Sequence, residues 1–337
     1  MLQTFSRRAL LSVVALSLAA GCSGSSVTTG GSSLTPATHR IGGAVRYVPG
    51  PVVSGPIAIP LVRTKTNAPV GWPDKKKKGK SILFVADCSA GILMYDPTVA
   101  NSGPTGSITN GTNCPFGVAA DKKGNLYVAN IGNSTVTIYA KGTTTPSTTL
   151  TSGISSPYSV AVDSKGNLFV SNLGNNTITA YALGQTTAFE TINFNAYGQA
   201  VGIATDKGGN LWVALDSSNA VYELKAGSQT PTNSGMEDLE GPIGVSFGQK
   251  DLTFVSSFSG GVVQVYKYGT TLPFEAIQSG IEVSGPTQNG VTRNDTFFQS
   301  NQDVNVVGYK KGQTTPFSTL TGTSSPAQIA SWPLVKK

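Results

Sequence analysis

Six positions of the sequence could gather metal or ligand donors around one point. Asp87, Asn130, Asn172, Leu215, Ser257 and Asn301 follow one another at intervals of 42 to 44 residues, each closing a short apolar run such as NLYVAN or NLFVSN. Asp87, Asn130, Asn172 and Asn301 are hard oxygen donors of the kind that hold Ca²⁺. Leu215 interrupts the set, and Asp216 beside it could restore an oxygen. A second aligned set, Phe116, Tyr158, Val201, Ile243, Asn289 and Ala327, opens the preceding apolar runs and adds aromatic and amide groups suited to a peptide or small polymer. The candidate ligand rim is therefore Asp87, Asn130, Asn172, Asp216, Ser257 and Asn301 with Phe116 and Tyr158. The alternative is that these residues only solvate a channel mouth.

These positions recur because the chain repeats itself. GNLYVANIGNSTVTIYAKG starts at Gly124 and GNLFVSNLGNNTITAYALG at Gly166, and the glycine ending each recurs at Gly142, Gly184, Gly227, Gly269 and Gly312. Each unit reads as four short alternating strands separated by turns such as KKGN and KGTTTP. Asp121, Asp163 and Asp206 precede the KKGN-type turns, where a carboxylate can accept backbone N–H bonds, so their recurrence is structural rather than catalytic. A four-stranded unit cannot bury both faces alone, and radial stacking of six units makes an all-β, six-bladed β-propeller. Ser81 to Trp332 is 252 residues, six times the 42-residue period. The first unit begins at its second strand, ILFVAD, while the last is followed by an extra first strand in AQIASWPLV. That final strand is expected to close the first blade, since an unpaired edge would leave the ring open.

Few catalytic chemistries fit the composition. The single histidine, His39, precedes the repeats. There is no Ser/His/Asp arrangement, no metal-spaced CxxC pair and no phosphate loop. The net charge of +7 is spent on Arg7 and Arg8, on Lys75 to Lys78 and on Lys336 and Lys337, rather than on one folded face, so no nucleic-acid partner is expected.

The N-terminus reads as an export signal: a charged start with Arg7 and Arg8, then an apolar stretch from Ala9 to Ala20, too short to span a bilayer. LAAGC resembles the lipobox of bacterial lipoproteins, which implies lipidation at Cys22, and SRRALL resembles a twin-arginine signal. Ser23 after that cysteine favours the outer membrane. The expected organisation is a signal peptide over 1–21, a lipidated flexible tether over 22–80, a propeller over 81–333 and a tail over 334–337. In an oxidising compartment, Cys88 and Cys114 are expected to pair, because the two loops that carry them emerge on one face of the ring. Two free thiols are the alternative.

The pattern G-V-A-x-D-x-x-G-N-L-x-V-x-N resembles the NHL repeat, and residues 81–333 are similar to a six-bladed NHL propeller. Relatives of that type include peptide-amidating lyases and streptogramin B lyases, both of which need histidine and are excluded by its absence from the repeats. A divalent-metal-dependent lactonase or esterase resembling the gluconolactonases is the alternative enzymatic reading. It would place Ca²⁺ on Asp87, Asn130, Asn172 and Asn301, although no glutamate occupies the ring. The leading expectation is a lipid-anchored extracytoplasmic binding module without a cofactor, meeting an envelope protein, peptide or glycan. A purely structural envelope protein is a third reading.

Overall fold

The structure is a computed structural model that describes residues 81–282 and 285–334. The export signal with Arg7 and Arg8, Cys22, the tether with His39, and residues 335–337 lie outside the described residues. The described chain forms six four-stranded antiparallel sheets. Five are built from consecutive strands. In the remaining one, the C-terminal strand Pro326–Trp332 lies beside Ile82–Asp87, with Phe84 opposite Ala330 and Val85 opposite Ile329. The molecule is a six-bladed β-propeller whose last strand closes its first blade.

Alternation along each strand explains the packing. Side chains of successive residues leave opposite faces of a sheet, so each blade presents an apolar face to both neighbours. Phe84, Ile92 and Met94 of blade one meet Val118, Leu126 and Val128 of blade two. Leu83, Val85 and Ile329 of blade one meet Phe298 and Val306 of blade six, so the closing strand is also core. A fully buried side chain of this size contributes about 1.5–3 kcal/mol.

The turns between first and second strands are clamped as their sequence demands. Asp121 accepts the Asn125 backbone N–H at 2.9 Å and its side-chain amide at 2.8 Å, and Asp163 and Asp206 repeat both bonds with Asn167 and Asn210. Gly124 completes the turn at a φ of 90°, which a residue with a Cβ adopts only at a cost. Blade six departs from the pattern: Asp295 takes the left-handed position instead, bonded to Lys311 and to the Gln249 backbone N–H of blade five.

The first strand of each blade is innermost. These strands are Pro115–Ala120, Pro157–Val162, Ala200–Thr205, Pro242–Phe247, Pro286–Val291 and Pro326–Trp332. In each blade the pairing with the second strand shifts near the start of the inner strand, a bulge that re-aims the residues after it.

Candidate functional site

The polar residues at the ends of the second strands do not face the axis. Asn130 is fully buried; its oxygen accepts the Asn113 backbone N–H at 3.0 Å and its amide nitrogen donates to Gly111 O and to Thr137. Asn172 makes the same bonds to Ser155, Gly153 and Thr179. Asp87 accepts the N–H groups of Ser324 at 2.7 Å and Ser325 at 3.0 Å; Asn301 holds Glu282 and Gly280, and Ser257 accepts Glu240. Each of these side chains bonds at least one backbone group in the connection that descends from the preceding blade, and Asp87 and Asn301 also bond within their own blade. These side chains pin that crossover, and all five are fully buried, so none is open to a ligand.

A tyrosine in the third strand completes each clamp. Tyr95, Tyr139, Tyr181, Tyr266 and Tyr309 donate their hydroxyls to the carbonyls of Thr321, Asn110, Ser152, Glu237 and Ser279, all in the same connections. Burial raises all five above the ordinary tyrosine value. The recurring tyrosine before the KG-type turn was the sequence signal for this role. Blade four replaces both parts: Leu215 and Leu224 pack on Phe194. Leu215 therefore does not interrupt a ligand ring; it is an apolar version of the clamp.

The axis itself is closed. At the third position of the inner strands stand Gln328, Gly117, Ser159, Gly202, Gly244 and Gln288 in blade order. The Gln328 side-chain oxygen accepts the N–H groups of Val118 at 3.0 Å and Val160 at 3.1 Å, and its nitrogen donates to Val160 O. Gln288 reaches across the ring to accept the Ser159 hydroxyl at 3.0 Å. Two long amides fit because the other four positions are small; a Cβ on Gly202 would stand 2.2 Å from Ile243 O. Asn289 lies one residue beyond this layer. The register pairs Pro286 with Asn301 as Pro115 pairs with Asn130, so Thr287, not Asn289, is the counterpart of Phe116 and Tyr158.

The plug separates two axial faces. On the face where the inner strands end, all six blades line a cavity of about 500 Å³, with Lys122, Ser164, Lys207, Phe247, Asn289 and Leu334 in its wall. This is the face opposite the rim expected from sequence. Two buried atoms of the wall, Ser246 Oγ and Asn289 Oδ1, have no hydrogen-bond partner among the described residues. Nearby, Asp206 accepts Trp212 Nε1 at 3.0 Å and the Tyr268 hydroxyl at 2.8 Å. Burial works to raise its pKa, and these bonds, with those from Asn210, outweigh it and hold it below the usual carboxylate range. Tyr268 is pushed up to about 12, by burial first and then by its bond to Asp206.

The opposite face, where the inner strands begin, is mostly apolar. Tyr158, Val201 and Ala214 cluster there with half-buried Phe116, Ile131, Leu173 and Ile243, and the Phe116 and Tyr158 rings lie 4.6 Å apart between centroids. Asp216 borders this cluster, its backbone N–H bonded to Gln199 O. Of the rim residues named from sequence, only Phe116 and Tyr158 are brought into contact on this face. Cys88 and Cys114 form a disulfide beside it, Cα atoms 3.8 Å apart, joining blade one to blade two.

Ca²⁺ does not fit the residues proposed to hold it. Asp87, Asn130, Asn172 and Asn301 each turn to their own crossover, and among the described residues no three acidic, histidine or cysteine side chains gather. No helix among them is long and apolar enough to cross a membrane.

No protein-family model and no curated protein matches the chain. Among solved structures it is similar to a chain of the nidogen/laminin complex, with 13% identity and a TM-score of 0.61 over 74% of this chain and 98% of that one. It is also similar to virginiamycin B lyase from Staphylococcus aureus, at 13% identity and a TM-score of 0.49, covering 64% of this chain and 73% of that one. Hydrazine synthase of Kuenenia stuttgartiensis gives 15% identity and 0.48, over 58% and 63% of the respective chains. At such identities the likeness is one of architecture, and the architecture is the six-bladed β-propeller.

Proposed function

We propose that this chain is a lipid-anchored, extracytoplasmic propeller of NHL type that acts as a binding module, taking a short peptide or glycan segment of the cell envelope into the cavity where the inner strands end. The observation that carries this reading is the cavity: about 500 Å³, within the range of small-ligand sites, walled by apolar strand ends with a few polar groups. Lys122 and Ser164 in that wall are accessible polar groups that a peptide or glycan could hydrogen-bond. The lipobox resemblance at Cys22 and the Ser- and Gly-rich stretch that follows support the anchor. The clamps account for the oxygen donors that favoured a lactonase, so no hydrolytic step is assigned.

Two measurements test the reading. Cys22→Ser should release the protein from the membrane fraction; equal partitioning of variant and wild type would remove the anchor. Thermal denaturation with a panel of peptidoglycan fragments and short peptides should identify one that raises the wild-type melting temperature. Ala119→Trp, which intrudes on the cavity from a half-buried wall position, should abolish that shift. A shift that survives this variant would exclude the cavity.

A further inference from the structure

The fold gathers on one face charges that lie scattered along the sequence. In an antiparallel blade the turn from first to second strand and the turn from third to fourth leave on one side, and the other connections leave on the opposite side. All eleven lysines and arginines of residues 81–334 stand in, or open, one of these two turns, on the face where the inner strands end. The opposite face has none of them, and its acidic residues include Asp216, Glu237, Asp238, Glu240 and Asp303. Most carboxylates of the basic face are engaged: Asp121, Asp163 and Asp206 hold their turns, and Asp251, Glu223 and Asp295 pair with Lys207, Lys225 and Lys311. Lys123, Lys165, Lys267 and Lys310 are exposed and join no ion pair among the described residues.

Exposed apolar side chains favour the same face. Of the seven large hydrophobic residues exposed among the described residues, only Val304 lies on the opposite face. The others stand in third-to-fourth turns: Val99 in blade one, Leu183 and Phe189 in blade three, and Tyr268, Leu272 and Phe274 in blade five. Successive blades are neighbours in the ring, so these three groups are about 120° apart around it. A ligand held at the axis cannot touch all three, whereas an extended flat surface can. The Lys267 ammonium is 5.8 Å from the centre of the Phe274 ring. Cation and apolar group thus stand side by side, the combination that holds a protein at the boundary between headgroups and acyl chains.

We propose that this face docks on an anionic lipid surface, with the lysines of the turns against the headgroup phosphates and the three apolar groups dipping between the acyl chains. The charge pattern sets the orientation, because the same surface repels the acidic face. The proposal goes beyond the cavity reading and does not rest on it, since none of the six apolar residues lines the cavity. Docking also puts the cavity mouth at headgroup level.

The test uses residues 81–335, which hold the whole closed ring and omit Lys75 to Lys78, Lys336 and Lys337. Sedimentation with vesicles of equal parts phosphatidylglycerol and phosphatidylcholine should show saturable binding, at least tenfold tighter than to phosphatidylcholine alone. Lys123→Glu combined with Lys165→Glu should weaken it at least tenfold. Phe189→Ser in blade three, and Leu272→Ser combined with Phe274→Ser in blade five, should each weaken it severalfold while melting like wild type, since all three side chains are exposed. Val304→Ser, on the acidic face, should leave it within twofold. Ala119→Trp, which fills the cavity and leaves the turns intact, should dock like wild type whether or not the cavity takes a ligand. Equal binding to both kinds of vesicle, or undiminished binding by both apolar variants, would overturn the proposal. So would heparin bound as tightly as the anionic vesicles, which would assign the face to a soluble anionic polymer.

Discussion

Leu215 packs with Phe194 while its neighbour Asp216 is part-exposed, so one residue's step along the chain changes what a side chain meets. A residue in register with Leu215 points into the crossover, where a polar side chain satisfies backbone groups and an apolar one packs. Asn130→Ala should therefore lower stability by about 1–3 kcal/mol, since it removes the buried amide that accepts the Asn113 N–H and donates to the Gly111 carbonyl. Denaturant titration reads this directly. An unchanged midpoint, with loss of ligand binding, would return Asn130 to the rim. The two perturbed aspartates predict opposite pH behaviour. Asp206 is held below its ordinary value of 3.8, so its contribution is present above the unfolded pKa and is lost as pH falls through the lower folded one. Asp206→Asn should thus lose stability at pH 7, with the gap narrowing in acid. Asp216 is raised by burial, so its ionised form penalises the fold above the folded pKa. Asp216→Asn should gain stability at pH 7, and the gain should fade as pH drops and wild-type Asp216 takes up its proton. Melting curves of both variants across pH 3 to 7 check the signs.

At the scale of the blade, a polar residue at one strand end and a tyrosine in the next strand grip the same connection, so each blade holds the chain that enters it. Tyr139→Phe removes one of these bonds, to Asn110 O, and should cost about 1 kcal/mol. The equivalent loss should be absent in blade four, where Leu224 already stands. The disulfide reinforces one connection covalently. Its two cysteines are 26 residues apart, a loop for which chain entropy suggests about 3 kcal/mol. A domain of this size loses about 2–4 °C per kcal/mol, so the Cys88→Ser, Cys114→Ser double variant should melt about 6–12 °C lower than the oxidised wild type. A melting temperature equal to that of the oxidised protein would mean that the bridge contributes nothing to the ring.

For the whole molecule, the decisive contacts are those that no single repeat contains. The C-terminal strand pairs with the first blade's Ile82–Asp87 and also carries Gln328 into the axis, where it caps the N–H groups of Val118 and Val160. Deleting residues 325–337 should therefore do two kinds of damage, opening the seam and unplugging the axis, and the truncated chain should unfold at much lower denaturant. Removing only Lys336 and Lys337 should change nothing. Gln328→Leu isolates the second effect: the ring stays closed, but two buried N–H groups lose their acceptor, at about 1–3 kcal/mol each. If Gln328→Leu matched wild type in denaturant midpoint, the plug would be filler rather than a structural tie.

The 42-residue period, the alternating strands and the unmatched strands at the two ends were sufficient to derive six blades and their closure, because each depends on local pattern and on the rule that apolar faces and strand edges must be covered. The Asp-x-x-Gly-Asn turns were legible for the same reason, since Asp121 bonds to a residue only four positions away. Which way Asn130 points was not legible. Its partners lie in a connection 17 to 19 residues earlier, and aligned spacing places residues on a common level without saying which side of the strand they leave. The axial plug was hidden more deeply, because Gln288 and Ser159 are 129 positions apart and meet only when the ring is closed. The cavity, lined by all six blades, follows from that closure. Repetition determines the scaffold through local geometry, whereas the differences between repeats acquire meaning only where six blades converge.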